Sequence, residues 1–231
     1  MAAGDTLLIP NTVHFIWMTQ QAERADDPLP AEVGEQILRW HQNASNCSVR
    51  CWSWGDFTDL MAGDADGRRI IELVNSCKMH AMKADIMRLI IISRLGGVWS
   101  DVKNQPLVDM KPLLPLDCSL FIAEHWPIEQ KPDTTDFFSN SFFGAEKDNP
   151  FINACIDFVL DNVEAKFDGA SITSITGGGV FTRLAKRDSN LDLVRITSDQ
   201  CWNNWLKRTP MKYNAGNLHW SKRQKTESIY N

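Results

Sequence analysis

No stretch of this chain approaches the roughly 18 consecutive apolar residues that a membrane-spanning helix needs, so no transmembrane segment is expected. The start, MAAGDTLLIP, lacks the basic region and long apolar core of a secretory signal. Those two absences make the cytoplasm the expected location. Positive charge is not in excess either: the formal net charge is −5 over 231 residues. A duplex nucleic-acid binder needs a dense cationic surface to displace counterions, so no nucleic-acid partner is expected. A small anion is not excluded, because one local pair of cations can hold a diphosphate. Zinc-ligand clusters are missing. The six cysteines (47, 51, 77, 118, 155 and 201) are spread out, and only Cys47 and Cys51 lie close together. Without a secretory signal they read as reduced thiols in mostly apolar surroundings. For the same reason Asn43-Ala-Ser45 and Asn46-Cys-Ser48, which match the N-glycosylation pattern, carry no meaning. Internal repeats and low-complexity tracts are absent as well.

What is present suits a globular protein. Hydrophobic residues make up 43% and charged residues 23%, enough apolar material for a real core. The length favours one sizeable domain, spanning 1–231, over two small ones. Thr12–Met18 and Ser48–Trp54 read as strands, and Ala31–Asn43 has helical apolar spacing. Arg68–Asn75 reads as a short helix. From Ala81 the apolar residues cover two helical stripes, which predicts a helix buried nearly all round. Gly96-Gly97 ends it, and Val98–Val102 reads as a strand, as do Leu120–Glu124 and Phe137–Gly144. Asn149-Pro150 supplies an N-cap and a first-turn proline for a helix over Phe151–Phe167. A further helical run covers Val180–Lys186, and the tryptophan-rich C-terminal part reads as irregular. Helices and strands alternate, which predicts an α/β fold with a mostly parallel sheet. Ligands in such sheets sit beyond the carboxyl ends of the strands.

Asp85 and Arg88 stand out, because they share one face of a helix that is otherwise apolar. Buried charges need partners, so they either form a structural ion pair or face a polar ligand. In the second case Asp85 accepts from ribose hydroxyls and Arg88 holds a diphosphate through its planar fork of donors. Asp101, at the end of an apolar strand, either meets a cleft ligand or caps the next turn. His14, inside the first strand, reads as a core histidine with its nitrogens satisfied. Glu124, His125 and Asp136 fall near strand ends, and their positions alone decide nothing. Gly177–Gly179 precede a helix and could offer amides to a phosphate, although a close backbone approach or a plain helix entry fits better. Most of the nine tryptophans read as core or groove wall.

The segment KADIMRLIIISRLGGVWSD resembles the signature of glycosyltransferases that contain the sugar-binding DXD motif. That group includes initiating mannosyltransferases, capsular polysaccharide synthesis enzymes and clostridial glucosylating toxins. IPNTVHFIW, SNSFFGAEKDNPFINACIDFVL and ITGGGVFTRLA are similar to three further marks of the family. All four occur in family order over roughly residues 9–187. The resemblance implies the GT-A fold, a Rossmann-like α/β/α sandwich. It also implies transfer from a UDP- or GDP-sugar to a carbohydrate or protein acceptor, with retention of anomeric configuration. On this resemblance Trp17 stacks on the nucleobase and Asp85 binds sugar or ribose hydroxyls. Arg88 binds the diphosphate or sugar, and Asp101 is the first acid of the motif; Arg88 and Asp101 are the expected catalytic pair. The position of the second acid holds Lys103, which cannot coordinate Mn²⁺ or Mg²⁺. Its ammonium is expected to reach the diphosphate or a neighbouring acid instead. If a metal binds, the resemblance points to Asp101 and His219 as its ligands. Two rival readings are a nucleotide-sugar-binding protein that has lost transfer through Lys103, and a hydrolase using a carboxylate pair such as Asp101 and Glu124.

Overall fold

A computed structural model describes residues 7–18, 29–45, 47–125, 137–212 and 219–231. Its centre is a six-stranded sheet in the order β2-β1-β3-β6-β5-β7. The strands are β1 (Thr12–Ile16), β2 (Ser48–Trp52), β3 (Gly97–Ser100), β5 (Leu120–Glu124), β6 (Phe138–Ala145) and β7 (Val194–Ile196). β1 pairs in parallel with both β2 and β3, and β5 with β7. β6 runs against β3 and β5, so the other five strands share one direction. A separate ribbon joins β4 (Asn104–Pro106) to β8 (Leu206–Arg208).

Strand side chains alternate between two faces, and each face has its own core. Trp99, Ile122 and Phe143 point to a large cluster with α2 (Trp54–Ala62), α3 (Gly67–Ser76), α4 (His80–Leu95), α5 (Pro150–Glu164) and α7 (Gly178–Arg187). Val98, Phe121 and Phe142 point the other way, against Trp40 of α1 (Ala31–Asn43) and Cys201. Fully burying each such large side chain contributes about 1.5–3 kcal/mol. This is the α/β fold with a mostly parallel sheet that the alternation predicts, in the Rossmann-like α/β/α arrangement that the resemblance implies. The six cysteines carry no disulfide, and burial pushes the thiols of Cys51 and Cys77 up to about 12. Among the described residues, no helix is long and apolar enough to cross a membrane.

The helix expected from Ala81 runs from His80 to Leu95 and is buried on nearly every side. Gly96 and Gly97 then turn the chain with φ of 66° and 108°, in the region that favours glycine. A Cβ on Gly97 would sit 2.7 Å from the Thr12 carbonyl oxygen, so only glycine lets β3 lie this close to β1.

Several borders differ from the sequence expectation. The second strand stops at Trp52, because the Ser53 hydroxyl accepts from the Asp56 N–H and starts α2 with a reciprocal capping box. β3 stops at Ser100, where the chain turns and the Asn104 N–H donates to the Asp101 carbonyl. α5 ends at Glu164, with Lys166 at a φ of 47° just beyond. The C-terminal part is more regular than expected. It holds β7, a π-helical turn at Gln200–Trp205, β8 and the short α8 (Trp220–Arg223).

Candidate active site

The second and third turns of α4 place two charges under the carboxyl end of β3. Arg88 lies 3.1 Å from Asp85 through Nη2 and 3.2 Å from Asp101 through Nη1. One guanidinium therefore bridges both carboxylates, and its Nη1 also donates to the Asn140 carbonyl at 2.6 Å. The sequence left two possibilities for Asp85 and Arg88, a structural ion pair or a ligand-facing pair, and the geometry has both features. The pair is formed, and both residues line a cleft of about 120 Å³.

Each carboxylate has a different surrounding. Asp85 accepts from Asn140 Nδ2 and from the Thr176 hydroxyl, each at 2.8 Å. Burial pushes its carboxyl up, against the opposing pull of Arg88 and these donors. Asp101 is partly buried, which pushes its carboxyl up, yet the carboxyl is held below the usual range. The opposing causes are Arg88, then Lys103, the Trp99 indole N–H and Arg208. Lys103 Nζ stands 3.4 Å from Asp101 Oδ2, and burial lowers its own ammonium.

The rest of the cleft comes from distant parts of the chain. Ser139, Asn140 and Ser141 of β6 form one wall, and His125 closes the end of β5. Gly177 and Gly178 present the start of α7, and Trp220 of α8 also lines the cleft. A Cβ on Gly178 would lie 2.6 Å from the Phe138 carbonyl oxygen, so the close backbone approach expected of this glycine run is real.

No protein-family model matches the sequence, and no curated protein matches it. Solved structures similar to it include the PaToxG glycosyltransferase, at 13% identity and a TM-score of 0.53, over 78% of this chain and 68% of that one. The ligand-free glycosyltransferase domain of the YGT toxin matches at 8% identity and a TM-score of 0.54, over 94% and 82% of the two chains. The UDP-bound form of that domain matches at 9% and 0.51, over 87% and 83%. This chain shares their fold.

Four of the expected site residues, Asp85, Arg88, Asp101 and Lys103, meet in the cleft. Trp17 does not line it. Its half-buried side chain lies just beyond β1 and packs against the α1-side core. Glu124 is engaged elsewhere: Arg195 donates to one oxygen at 2.7 Å and the Ser198 N–H to the other at 3.2 Å. That leaves no carboxylate pair of Asp101 with Glu124 in the cleft, against the hydrolase reading. Asp136 lies outside the described residues. His219 caps α8, its Nδ1 accepting from the Ser221 N–H at 3.2 Å.

Sequence reasoning missed Asn140, Thr176, Trp220 and Arg208. Asn140 had a readable signal, since Ser139-Asn140-Ser141 is a polar triplet inside an otherwise apolar strand. Arg208 had none, because only the pairing of β4 with β8, about a hundred positions apart, brings it near the loop that carries Lys103.

A divalent cation fits this donor set poorly. It requires several oxygen ligands, and Asp101 already faces Trp99, Arg88 and Lys103. Among the described residues, no three His, Cys, Asp or Glu side chains converge to hold a metal.

Proposed function

We propose that this chain is a glycosyltransferase that moves a sugar from a UDP- or GDP-sugar to a hydroxyl group of a carbohydrate or protein. The observation that carries this reading is the Arg88 guanidinium, bridging Asp85 and Asp101 in a cleft at the carboxyl end of β3. The shared fold supports it, and one similar toxin domain is described as UDP-bound.

On this reading the donor diphosphate lies toward Arg88 and Lys103, and Asp85 with Asn140 receives sugar or ribose hydroxyls. Trp17 stacks on the base. The bond between the anomeric carbon and the diphosphate oxygen breaks while the acceptor oxygen bonds to that carbon on the same face, so configuration is retained. The acceptor proton passes to the departing diphosphate. The protein's part is to hold the reactants in register and to offset the charge that develops on the leaving group. Lys103 in place of a second acid favours one alternative, a protein that binds a nucleotide sugar without transferring it.

Release of UDP or GDP from UDP-glucose, UDP-N-acetylglucosamine and GDP-mannose tests the reading. One donor is expected to be hydrolysed slowly in water. Asp101→Asn, nearly isosteric but uncharged, is expected to cut that rate at least 100-fold with the fold intact by circular dichroism. Unchanged turnover in the variant would remove the end of β3 from the chemistry. Binding of a donor with no turnover by the parent would favour the binding-protein alternative.

A further inference from the structure

Two cations contact one carboxylate at the end of β3, and the charge of a third acts on it. Arg88 and Lys103 contact Asp101 at 3.2 and 3.4 Å. Arg208 acts on Asp101, Lys103 and His219 through its charge. Its position is fixed by backbone, because β8 pairs with β4 in a register that sets Arg208 opposite Asn104. One residue on, the Thr209 N–H donates to the Lys103 carbonyl at 2.8 Å. The ribbon thus ties Arg208 to the loop that carries Lys103.

Charge counting gives this cluster a meaning. With both carboxylates ionised, Asp85 and Asp101 stand against Arg88, Lys103 and Arg208, which leaves one positive unit. An acid at position 103 would leave one negative unit instead, and only a bound divalent cation would bring the site back to one positive unit. The lysine reaches the same balance by itself.

We propose that Lys103 and Arg208 take the place of a divalent cation, so that this cleft binds the diphosphate of a nucleotide without metal. The proposal rests on the reading that the cleft receives a nucleotide sugar. Arg208 then joins Arg88 and Lys103 as a diphosphate-binding residue.

Calorimetric titration of the parent protein with UDP and with GDP, in EDTA and then in excess Mn²⁺, tests it without any variant. One nucleotide is expected to bind in EDTA, with affinity within about threefold of that in Mn²⁺. Lys103→Gln and Arg208→Gln are each expected to lower the preference for diphosphate over monophosphate in EDTA by about tenfold. A loss of packing alone would leave that ratio unchanged. Lys103→Asp is expected to bind weakly in EDTA and to regain at least tenfold with Mn²⁺. Binding by the parent only in Mn²⁺ overturns this proposal and leaves the nucleotide-sugar reading standing. An unchanged diphosphate preference in both glutamine variants also overturns it. Binding of neither nucleotide under either condition overturns both readings.

Discussion

His14 is a single buried side chain whose titration is expected to weaken the fold in acid. Trp52 Nε1 can only donate, so His14 Nδ1, 3.1 Å away, accepts. The proton then sits on Nε2, which donates to the Gly96 carbonyl at 3.1 Å and ties β1 to the diglycine corner. Protonating Nδ1 would set two donors against each other. The imidazole is accordingly pushed down from 6.5 to about 4, first by burial, with the Arg50 charge adding to it and the Gly96 hydrogen bond opposing. Between those two values the unfolded chain binds the extra proton and the folded one does not. Stability therefore falls as pH drops through that window, and the whole gap is worth roughly 3 kcal/mol at 1.36 kcal/mol per unit. Asp101, held low, adds a further loss only at lower pH. Urea unfolding at pH 7, 5.5 and 4 is expected to show this slope in the parent. His14→Gln, which can donate and accept but does not titrate, is expected to be less stable at pH 7 and to have a flatter profile. Parallel profiles would mean that other groups set the acid limit.

At the scale of elements, what could be read from the sequence depended on how local the signal is. α4 was legible because its two apolar stripes and the glycines after it lie in one segment. α5 was legible from Asn149-Pro150: the Asn149 side chain does accept from the N–H of Phe151, at 3.0 Å. Asn149 Nδ2 also donates to the Ser119 carbonyl at 3.1 Å, which fastens the start of α5 to the entry of β5. Asn149→Ala is therefore expected to cost about 1–2 kcal/mol in urea unfolding, the upper part of the range for a lost N-cap. A change below about 0.3 kcal/mol would show that water replaces both bonds. β4 and β8 were not legible, since three-residue strands pair only through tertiary placement. α2 was missed although its signal was present, because the aromatic run through Trp52 and Trp54 hid the Ser53 and Asp56 capping box. The site divides in the same way. Asp85, Arg88 and Asp101 sit in one motif-bearing segment, whereas Thr176 and Arg208 join them only in the folded chain.

For the whole molecule, the site exists only when α4, β6, α7 and α8 are assembled around one cleft, so a ligand that binds there must stabilise the complete fold. At a hundredfold excess over its dissociation constant, a nucleotide adds about 2.7 kcal/mol. At roughly 2–4 °C per kcal/mol for a chain of this size, the melting temperature should rise by about 5–11 °C. The distribution of that rise over the ligand separates the two ends of the site. Arg88 faces both acids in the cleft, so Arg88→Ala is expected to weaken nucleoside diphosphate binding by about 1.5–3 kcal/mol. It should affect the monophosphate much less. Trp17 lies outside the cleft lining, beyond the end of β1, where a base could extend from a diphosphate held at Arg88. Trp17→Ala is therefore expected to reduce the shifts given by UMP and UDP, or GMP and GDP, by equal amounts. The free variant is also expected to melt lower, because part of the indole packs on the α1-side core. That loss does not bear on the base, since the informative quantity is the ligand-induced shift measured from each variant's own baseline. A lower baseline with undiminished nucleotide shifts would assign Trp17 to packing alone, and the base would then have to bind elsewhere in the cleft.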